Sequence, residues 1–206
     1  SIFHRDIKPD NFRAYEENLK RIVILIDLGT AARYDSFPMI GDYGSPVGAL
    51  LYSSPESFCG LAGHRSIAFY SDYYALGCML FELFCKSLLG YEIKKSGYFD
   101  HICAAICQLM ITAKNTDDKL VIWKKEIKRF KNAIIIPGIS SQDHTAPKSI
   151  IDLLDAIIVK MCCFDYNDRV SNLEEIRRKT NNCIRILENH KYEQKQLEKK
   201  KEIRRL

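Results

Sequence analysis

The sequence predicts a single, mainly α-helical domain with a short β-hairpin near its start. Apolar residues recur at helical spacing from 148 to 161, and two further amphipathic segments run from 99 to 112 and from 119 to 130. Near the start, a polar turn at 12–21 precedes a β-branched run at 21–26, which predicts paired strands. The 206 residues, 47% hydrophobic and 28% charged, are enough for one globular domain with its own core.

The net charge of +5 is concentrated at the end of the chain. Residues 191–206 hold seven Lys or Arg and three Glu, so the body is close to neutral. The body of the chain therefore offers no basic face that would indicate a nucleic-acid partner. The tail is predicted to be a solvated helical extension or a frayed end, with a role in binding an acidic partner as the alternative.

The eight cysteines form no C-x-x-C pair, which argues against a zinc site. Most lie among apolar residues, as expected for reduced, buried thiols in an intracellular protein. The longest apolar stretch, 76–93, contains Glu82 and Lys86, which favours a core helix over a membrane span. No signal peptide precedes it.

The segment from His4 to Asn11 places three chemically useful groups in one short loop. Asp6 is suited to accept a proton from a hydroxyl, Lys8 to hold a phosphoryl group, and Asn11 to bind a metal ion through its amide oxygen. Phosphoryl transfer needs these parts. The alternative is a polar surface loop with scattered charges.

The β-branched run is predicted to be a buried strand that leads into Asp27-Leu28-Gly29. The Asp27 carboxylate is a hard oxygen ligand suited to Mg²⁺, and Gly29 would allow a sharp turn of the backbone. Taken alone, such a tripeptide marks a plain turn.

Further landmarks follow in the second quarter of the chain and near its end. A loop rich in Gly, Ser and Pro leads to Gly48-Ala49-Leu50-Leu51-Tyr52-Ser53-Ser54-Pro55-Glu56, and Arg169 stands near the end. A largely apolar helix is predicted over 71–83, capped by Ser71 or Asp72. A final helix is predicted to follow a Ser171 cap with Glu174 as its capping-box partner.

Together these landmarks resemble the eukaryotic-type protein kinase family, in the order in which that family carries them. His4-Arg5-Asp6-Ile7-Lys8-Pro9-Asp10-Asn11 fits its H-R-D catalytic loop. Asp27-Leu28-Gly29 resembles its D-F-G motif with Leu28 in place of Phe, and Ser54-Pro55-Glu56 resembles its A-P-E motif with Ser54 in place of Ala. The resemblance implies the mostly helical large, C-terminal lobe over residues 1–185, with the hairpin next to the catalytic loop. Residues 186–206 are expected to form a charged helical extension. The resemblance also implies ATP and Mg²⁺ as cofactors and a protein substrate, with Lys8 favouring the Ser/Thr type.

The resemblance implies a role for each site residue. Asp6 and Lys8 would be catalytic, while Asn11 and Asp27 would hold the nucleotide's metal ion. Asp72 would hydrogen-bond the catalytic-loop backbone, and Glu56 would pair with Arg169. Arg5 would pair with a phosphate on the following loop. The supporting and regulatory set comprises His4, Arg5, Gly29, Glu56, Asp72 and Arg169, and the candidate phosphorylation sites are Tyr34, Ser36, Tyr43 and Ser45.

Two departures from the family pattern keep a non-catalytic scaffold open as the alternative. Ala49 stands where Ser/Thr kinases usually have a Thr whose hydroxyl bridges the catalytic Asp and Lys. Arg13 stands where an apolar residue usually lies under the adenine.

The chain also begins inside the catalytic loop, so the glycine-rich loop and the strand lysine are expected upstream. The 206 residues alone are expected to lack kinase activity.

Overall fold

A computed structural model of the chain describes residues 2–33, 46–130, 132–141, 146–170 and 172–203. Helices hold most of these residues, which confirms the predicted mainly α-helical class. The α-helices are α1 (Arg65–Phe84), α2 (Leu89–Lys94), α3 (Tyr98–Met110), α4 (Thr116–Phe130), α5 (Lys148–Met161) and α6 (Leu173–Ile203).

Short strands lie in the first part of the chain: β1 (Ile2–Phe3), β2 (Phe12–Glu17), β3 (Lys20–Leu25) and β4 (Ala32–Arg33). Strands β2 and β3 form the predicted antiparallel hairpin, with Phe12 opposite Leu25. The predicted turn at 12–21 is wrong in extent, because Phe12–Glu17 form β2 and Glu17 already pairs with Lys20. Strand β1 pairs antiparallel with β4. Both pairings bring the segment between β1 and β2 against the segment between β3 and β4, so residues 4–11 lie beside residues 26–31.

The prediction that β3 is buried is wrong. Val23 is 58% exposed and Ile24 is 42% exposed. The reason is that β3 pairs only with β2, and no third strand joins the hairpin within the described part of the chain. An isolated pair of strands cannot bury both of its faces.

The central helix α1 begins earlier than predicted. Its N-cap is His64, whose Nδ1 accepts a hydrogen bond from the backbone N of Ser66. The first turn is helical because Ile67 is completely buried and needs a place in the core. Capping by Ser71 or Asp72 was therefore a wrong prediction, because both lie about two turns into the helix.

Helix α1 packs closely against α5 in the core. A Cβ atom on Gly77 of α1 would lie 2.8 Å from Cβ of Met161, so only glycine permits this approach. The largest completely buried side chains include Trp123, Phe81 and Ile150 from three different helices. The core thus fixes α1 as a rigid support for the segments that contact it.

Helix α6 is a single element from Leu173 to Ile203. Oδ1 of Asn172 accepts a hydrogen bond from the backbone N of Glu174 at the start of this helix, whereas the predicted cap Ser171 lies outside the described residues. All eight cysteines are free thiols, and six of them are buried. Among the helices described here, none has the length and apolar content needed to cross a membrane.

Candidate active site

Asp72 of α1 holds the backbone of the segment from His4 to Asn11. Its Oδ2 accepts a hydrogen bond from the backbone N of His4 at 2.7 Å, and its Oδ1 accepts one from the backbone N of Arg5 at 2.8 Å. Burial raises the pKa of Asp72, and the two N–H donors oppose that rise. One carboxylate on a core helix therefore fixes the successive amides of His4 and Arg5, and Arg5, the second of these residues, takes a left-handed backbone with φ of 66°.

Thr30 joins the same segment to the stretch after β3. Its Oγ1 donates a hydrogen bond to the carbonyl O of His4 at 2.9 Å, and its own carbonyl O accepts one from Nε of Arg5 at 2.6 Å. Nε2 of His4 contacts the carbonyl O of Ile26 at 3.0 Å. Sequence reasoning missed Thr30, because a threonine in a loop carries no signal until the β1–β4 pairing brings the two segments together.

Asp6 is buried, and both of its carboxylate oxygens accept hydrogen bonds. Oδ1 accepts one from the backbone N of Ala49 at 3.0 Å. Oδ2 accepts one from Nζ of Lys8 at 2.8 Å and one from Nδ2 of Asn11 at 3.1 Å. Burial acts to raise the pKa of Asp6, but the bonds from Lys8, Ala49 and Asn11 outweigh it and hold the pKa below its ordinary value. The group is thus kept as a carboxylate, the form that can accept a proton.

Lys8 supplies positive charge beside Asp6. Its hydrogen bond to Asp6 raises the pKa of the Lys8 ammonium, and the nearby charges of Asp10 and Asp27 act in the same direction. The Lys8 side chain remains 25% exposed, compared with 9% for Asp6. An ammonium that is paired on one side and open on the other can also contact an anionic group, such as a phosphate.

Asn11 and Asp27 are brought together by the backbone. The N–H of Ile26 donates to the carbonyl O of Asn11 at 2.8 Å, which places Asp27 next to that pair. Nδ2 of Asn11 donates to both the carbonyl O and Oδ2 of Asp6, so Oδ1 is its atom left for a ligand role. Oδ1 of Asp27 accepts from the backbone N of Gly29 at 3.2 Å, which leaves Oδ2. Amide and carboxylate oxygens are the donor types that Mg²⁺ takes, so this pair fits the ion.

The left-handed backbone at the Asp27-Leu28-Gly29 turn falls on Asp27, with φ of 64° and ψ of 75°. The prediction that Gly29 supplies the sharp turn is therefore wrong. Gly29 lies inside a 3-10 turn that runs from Leu28 to Thr30, and a Cβ atom on it would lie 3.2 Å from Oδ1 of Asp27. Asp can take this backbone because its own carboxylate bonds the local amide, here that of Gly29.

Glu56 and Arg169 form a buried ion pair that joins the end of the loop to the turn after α5. NH1 of Arg169 lies 2.5 Å from Oε1 of Glu56, and NH2 lies 2.7 Å from Oε2. Nε of Arg169 also donates to the carbonyl O of Cys163 at 2.8 Å. The bidentate geometry satisfies both charges in the absence of solvent. The two segments are 113 residues apart in the sequence.

The two departures from the family pattern, Ala49 and Arg13, are each accommodated by local hydrogen bonds. The backbone N of Ala49 bonds Asp6 directly, and Asp6 contacts Lys8 without a bridging hydroxyl. NH1 of Arg13 donates to the carbonyl O of Asp10 at 2.8 Å and to that of Phe12 at 2.9 Å. Its guanidinium is thus folded back onto the local backbone. The candidate phosphorylation sites Tyr34, Ser36, Tyr43 and Ser45 lie outside the described residues.

Comparisons with known proteins find similarity to protein kinases. The family model described as "Protein kinase domain" matches residues 1–192. The chain is 37% identical over 84 residues to inhibitor of nuclear factor kappa-B kinase subunit alpha of Danio rerio, covering 41% of the chain and 10% of that protein. It is 23% identical over 171 residues to a probable cell division protein kinase of Encephalitozoon cuniculi, covering 83% of the chain and 51% of that protein. It is 35% identical over 81 residues to the serine/threonine-protein kinase PknD of Mycobacterium tuberculosis, covering 39% of the chain and 11% of that protein. The matched part of the chain thus spans between about a tenth and half the length of these relatives.

Proposed function

The chain belongs to the protein kinase domain family, and on this basis we propose that it carries the phosphotransfer residues of a serine/threonine protein kinase. In this proposal residues 1–185 form the large lobe of the kinase domain, and residues 186–206 form a charged extension of α6. The substrates are ATP and a protein hydroxyl. The names of the PknD and cell division kinase relatives support a kinase, and Lys8 in the catalytic loop supports the Ser/Thr type.

The observation that carries the proposal is the set of contacts around Asp6. A proton acceptor must be ionised and held in one orientation, and the bonds from Lys8, Asn11 and the Ala49 amide supply both conditions. Asp6 orients the substrate hydroxyl and takes its proton. The hydroxyl oxygen forms a bond to the γ-phosphorus of ATP, and the bond from that phosphorus to the β,γ-bridging oxygen breaks to release ADP.

The neighbouring residues take the remaining roles. Lys8 contacts the oxygens of the γ-phosphate, since its ammonium is partly exposed beside Asp6. Asn11 and Asp27 would hold Mg²⁺, since Oδ1 of Asn11 and Oδ2 of Asp27 are the side-chain oxygens left by the local hydrogen bonds. The ion, when bound, neutralises the negative charge that the phosphate oxygens carry. An intracellular location belongs to the same proposal and is supported by the eight free thiols.

A non-catalytic scaffold is the competing function, and no contact among the described residues of the site favours it. Its two supports were the missing hydroxyl at Ala49 and the charge of Arg13. The backbone N of Ala49 already bonds Asp6, and Arg13 is bonded to carbonyl groups of Asp10 and Phe12.

The test is Asp6→Ala in the natural full-length protein, with phosphate transfer from ATP to a generic Ser/Thr substrate as the readout. Loss of a general base lowers turnover by roughly 10² to 10⁴-fold. Glu16→Ala, which changes an exposed acid on β2, is the control and retains turnover. Unchanged turnover of the Asp6 variant with an intact fold removes Asp6 from this role. A full-length protein that does not bind ATP in the presence of Mg²⁺ supports the scaffold instead.

A further inference from the structure

Gly48 lies against the Asp6 carboxylate at a distance that no other residue permits. A Cβ atom at this position would overlap Oδ1 of Asp6 and would lie 2.8 Å from its Cγ and 2.9 Å from its Cβ. Contacts of this length do not occur between real Cβ atoms and their neighbours. Gly48 also has a φ of 79°, in the left-handed region that favours glycine. Position 48 therefore needs glycine both for its backbone and for the room it leaves to Asp6.

The close approach of Gly48 brings the next backbone amide onto the carboxylate. The N–H of Ala49 donates to Oδ1 of Asp6 at 3.0 Å, while Lys8 and Asn11 occupy Oδ2. Each oxygen of Asp6 is thus fixed by a different part of the chain. A backbone amide cannot rotate away as a side-chain hydroxyl can, so this donor is rigid as long as the loop is.

The loop itself is anchored from α1 and α2. The hydroxyl of Tyr52 donates to Oε2 of Glu82 in α1 at 2.5 Å. Gly90 in α2 lies so close to the backbone of Leu51 that a Cβ atom would lie 2.9 Å from the Leu51 carbonyl carbon. The segment from Gly48 to Tyr52 is therefore held by the helical body independently of Asp6.

From these contacts we propose that Gly48 and Ala49 form a backbone clamp that positions the Asp6 carboxylate for phosphotransfer. This clamp does the orienting work that a threonine hydroxyl at position 49 does elsewhere in the family. Gly48 is a positioning residue, because it acts on the reaction only through Asp6. The inference rests on the proposed function for its consequence in turnover, but not for the geometry of the clamp.

The kinetic test compares Gly48→Ala with Gly97→Ala in the natural full-length protein. Gly97 has a similar φ of 72°, but a Cβ atom on it would meet nothing within 4 Å, so its substitution carries the backbone penalty without the clash. A displacement of about 1 Å at a catalytic group costs on the order of 100-fold. We expect kcat of Gly48→Ala to fall by about that factor, with the KM for ATP changed little. Gly97→Ala should retain both values. A Gly48→Ala protein with the kcat of wild type, or equal losses in the two variants, overturns the clamp.

The second test needs no activity. Chemical unfolding is measured for wild type, Gly48→Ala, Asp6→Gly and the double variant, since Asp6→Gly removes the three atoms that would lie nearest to a Cβ at position 48. We expect Gly48→Ala to lower the unfolding midpoint in the wild-type background and to lower it much less in the Asp6→Gly background. If Gly48→Ala alone does not fold but the double variant does, this result also supports a clash between position 48 and Asp6.

The unfolding measurement also separates the clamp from the proposed function. An equal shift of the midpoint in both backgrounds, or failure of both Gly48→Ala proteins to fold, shows that the cost is independent of Asp6 and overturns the clamp. If wild type transfers no phosphate at all, the proposed function fails while the unfolding comparison still decides the clamp.

Discussion

The guanidinium of Arg169 and the carboxylate of Glu56 form a two-bond ion pair in which neither side chain is exposed to solvent. The pair ties the segment after the Asp6-contacting loop to the turn that follows α5. A buried pair of this kind contributes little net stability when complete, but removing one partner leaves an unpaired charge in the core. The pair therefore makes the position of the loop end depend on residues far along the chain.

Arg169→Met should destabilise the fold by about 3–5 kcal/mol, because Glu56 is left charged and unpaired. Urea unfolding of wild type and variant measures this loss. Arg177→Met, which breaks an exposed pair with Glu174 on α6, is the matched control and should change the midpoint little. If Arg169→Met is as stable as wild type, the expectation that an unpaired Glu56 destabilises the core is wrong.

Asp72→Ala should release the backbone at His4 and Arg5. Two partly buried N–H groups lose their acceptor, and a fully buried group left unsatisfied costs about 1–3 kcal/mol, which is the upper limit for each of them. Hydrogen exchange should become faster at these two amides than elsewhere in the chain. Asp152→Ala, at an exposed position on α5, is the control. Exchange that accelerates evenly over the whole molecule would show that Asp72 acts on global stability and not on this segment.

We expect the folded protein to lose stability in alkaline solution because of Tyr166. Burial, followed by the charges of Asp165 and Glu56, raises the pKa of Tyr166 from 10.0 to about 12. Between these values the unfolded chain loses the proton more readily than the folded one, so the contribution of Tyr166 is complete below pH 10 and is lost as the pH rises toward 12. Urea unfolding from pH 8 to 11.5 should show a shallower decline for Tyr166→Phe than for wild type.

The control for this pH dependence is Tyr192→Phe, because Tyr192 is 65% exposed on α6. The other buried tyrosines are present in all three proteins, so the difference between the curves isolates Tyr166. Parallel curves for wild type and Tyr166→Phe would refute the assignment.

Asp27→Ala should weaken the dependence of ATP binding on Mg²⁺ in the natural full-length protein. The carboxylate is one of the two oxygen donors assigned to the ion, and loss of even a supporting group at a metal site costs about 10 to 100-fold in affinity. ATP binding measured over a titration of Mg²⁺ should therefore need at least about tenfold more of the ion. Glu17→Ala on β2 is the control, and an unchanged titration for Asp27→Ala would remove Asp27 from the metal site.

The helical part of the fold was predictable because burial on one face imposes a regular spacing. Helix α5 runs over the predicted 148–161, where six apolar residues follow the helical period. The start of α1 was not predictable in the same way. Its first turn is helical because Ile67 enters the core, and a histidine cap gives a weaker signal than the serine and aspartate that follow it.

The candidate site was predictable to the level of its motifs but not of its contacts. The spacing from Asp6 to Asn11 is local, so the sequence contains it. The approach of Gly48 to Asp6 and the bridge through Thr30 depend on segments that meet only after folding. The exposure of β3 could not be predicted either, because the apolar content of a strand does not show whether another segment covers it.

The left-handed backbone at Arg5 and Asp27 creates a trade-off between thermal stability and turnover. Each non-glycine residue in this conformation costs on the order of 1 kcal/mol, and glycine would remove that cost at either position. A laboratory screen for higher melting temperature alone would therefore enrich glycine at positions 5 and 27, where it would discard the guanidinium that bonds Thr30 and the carboxylate proposed to bind Mg²⁺. Screens on this chain need to score turnover together with melting temperature at these two codons.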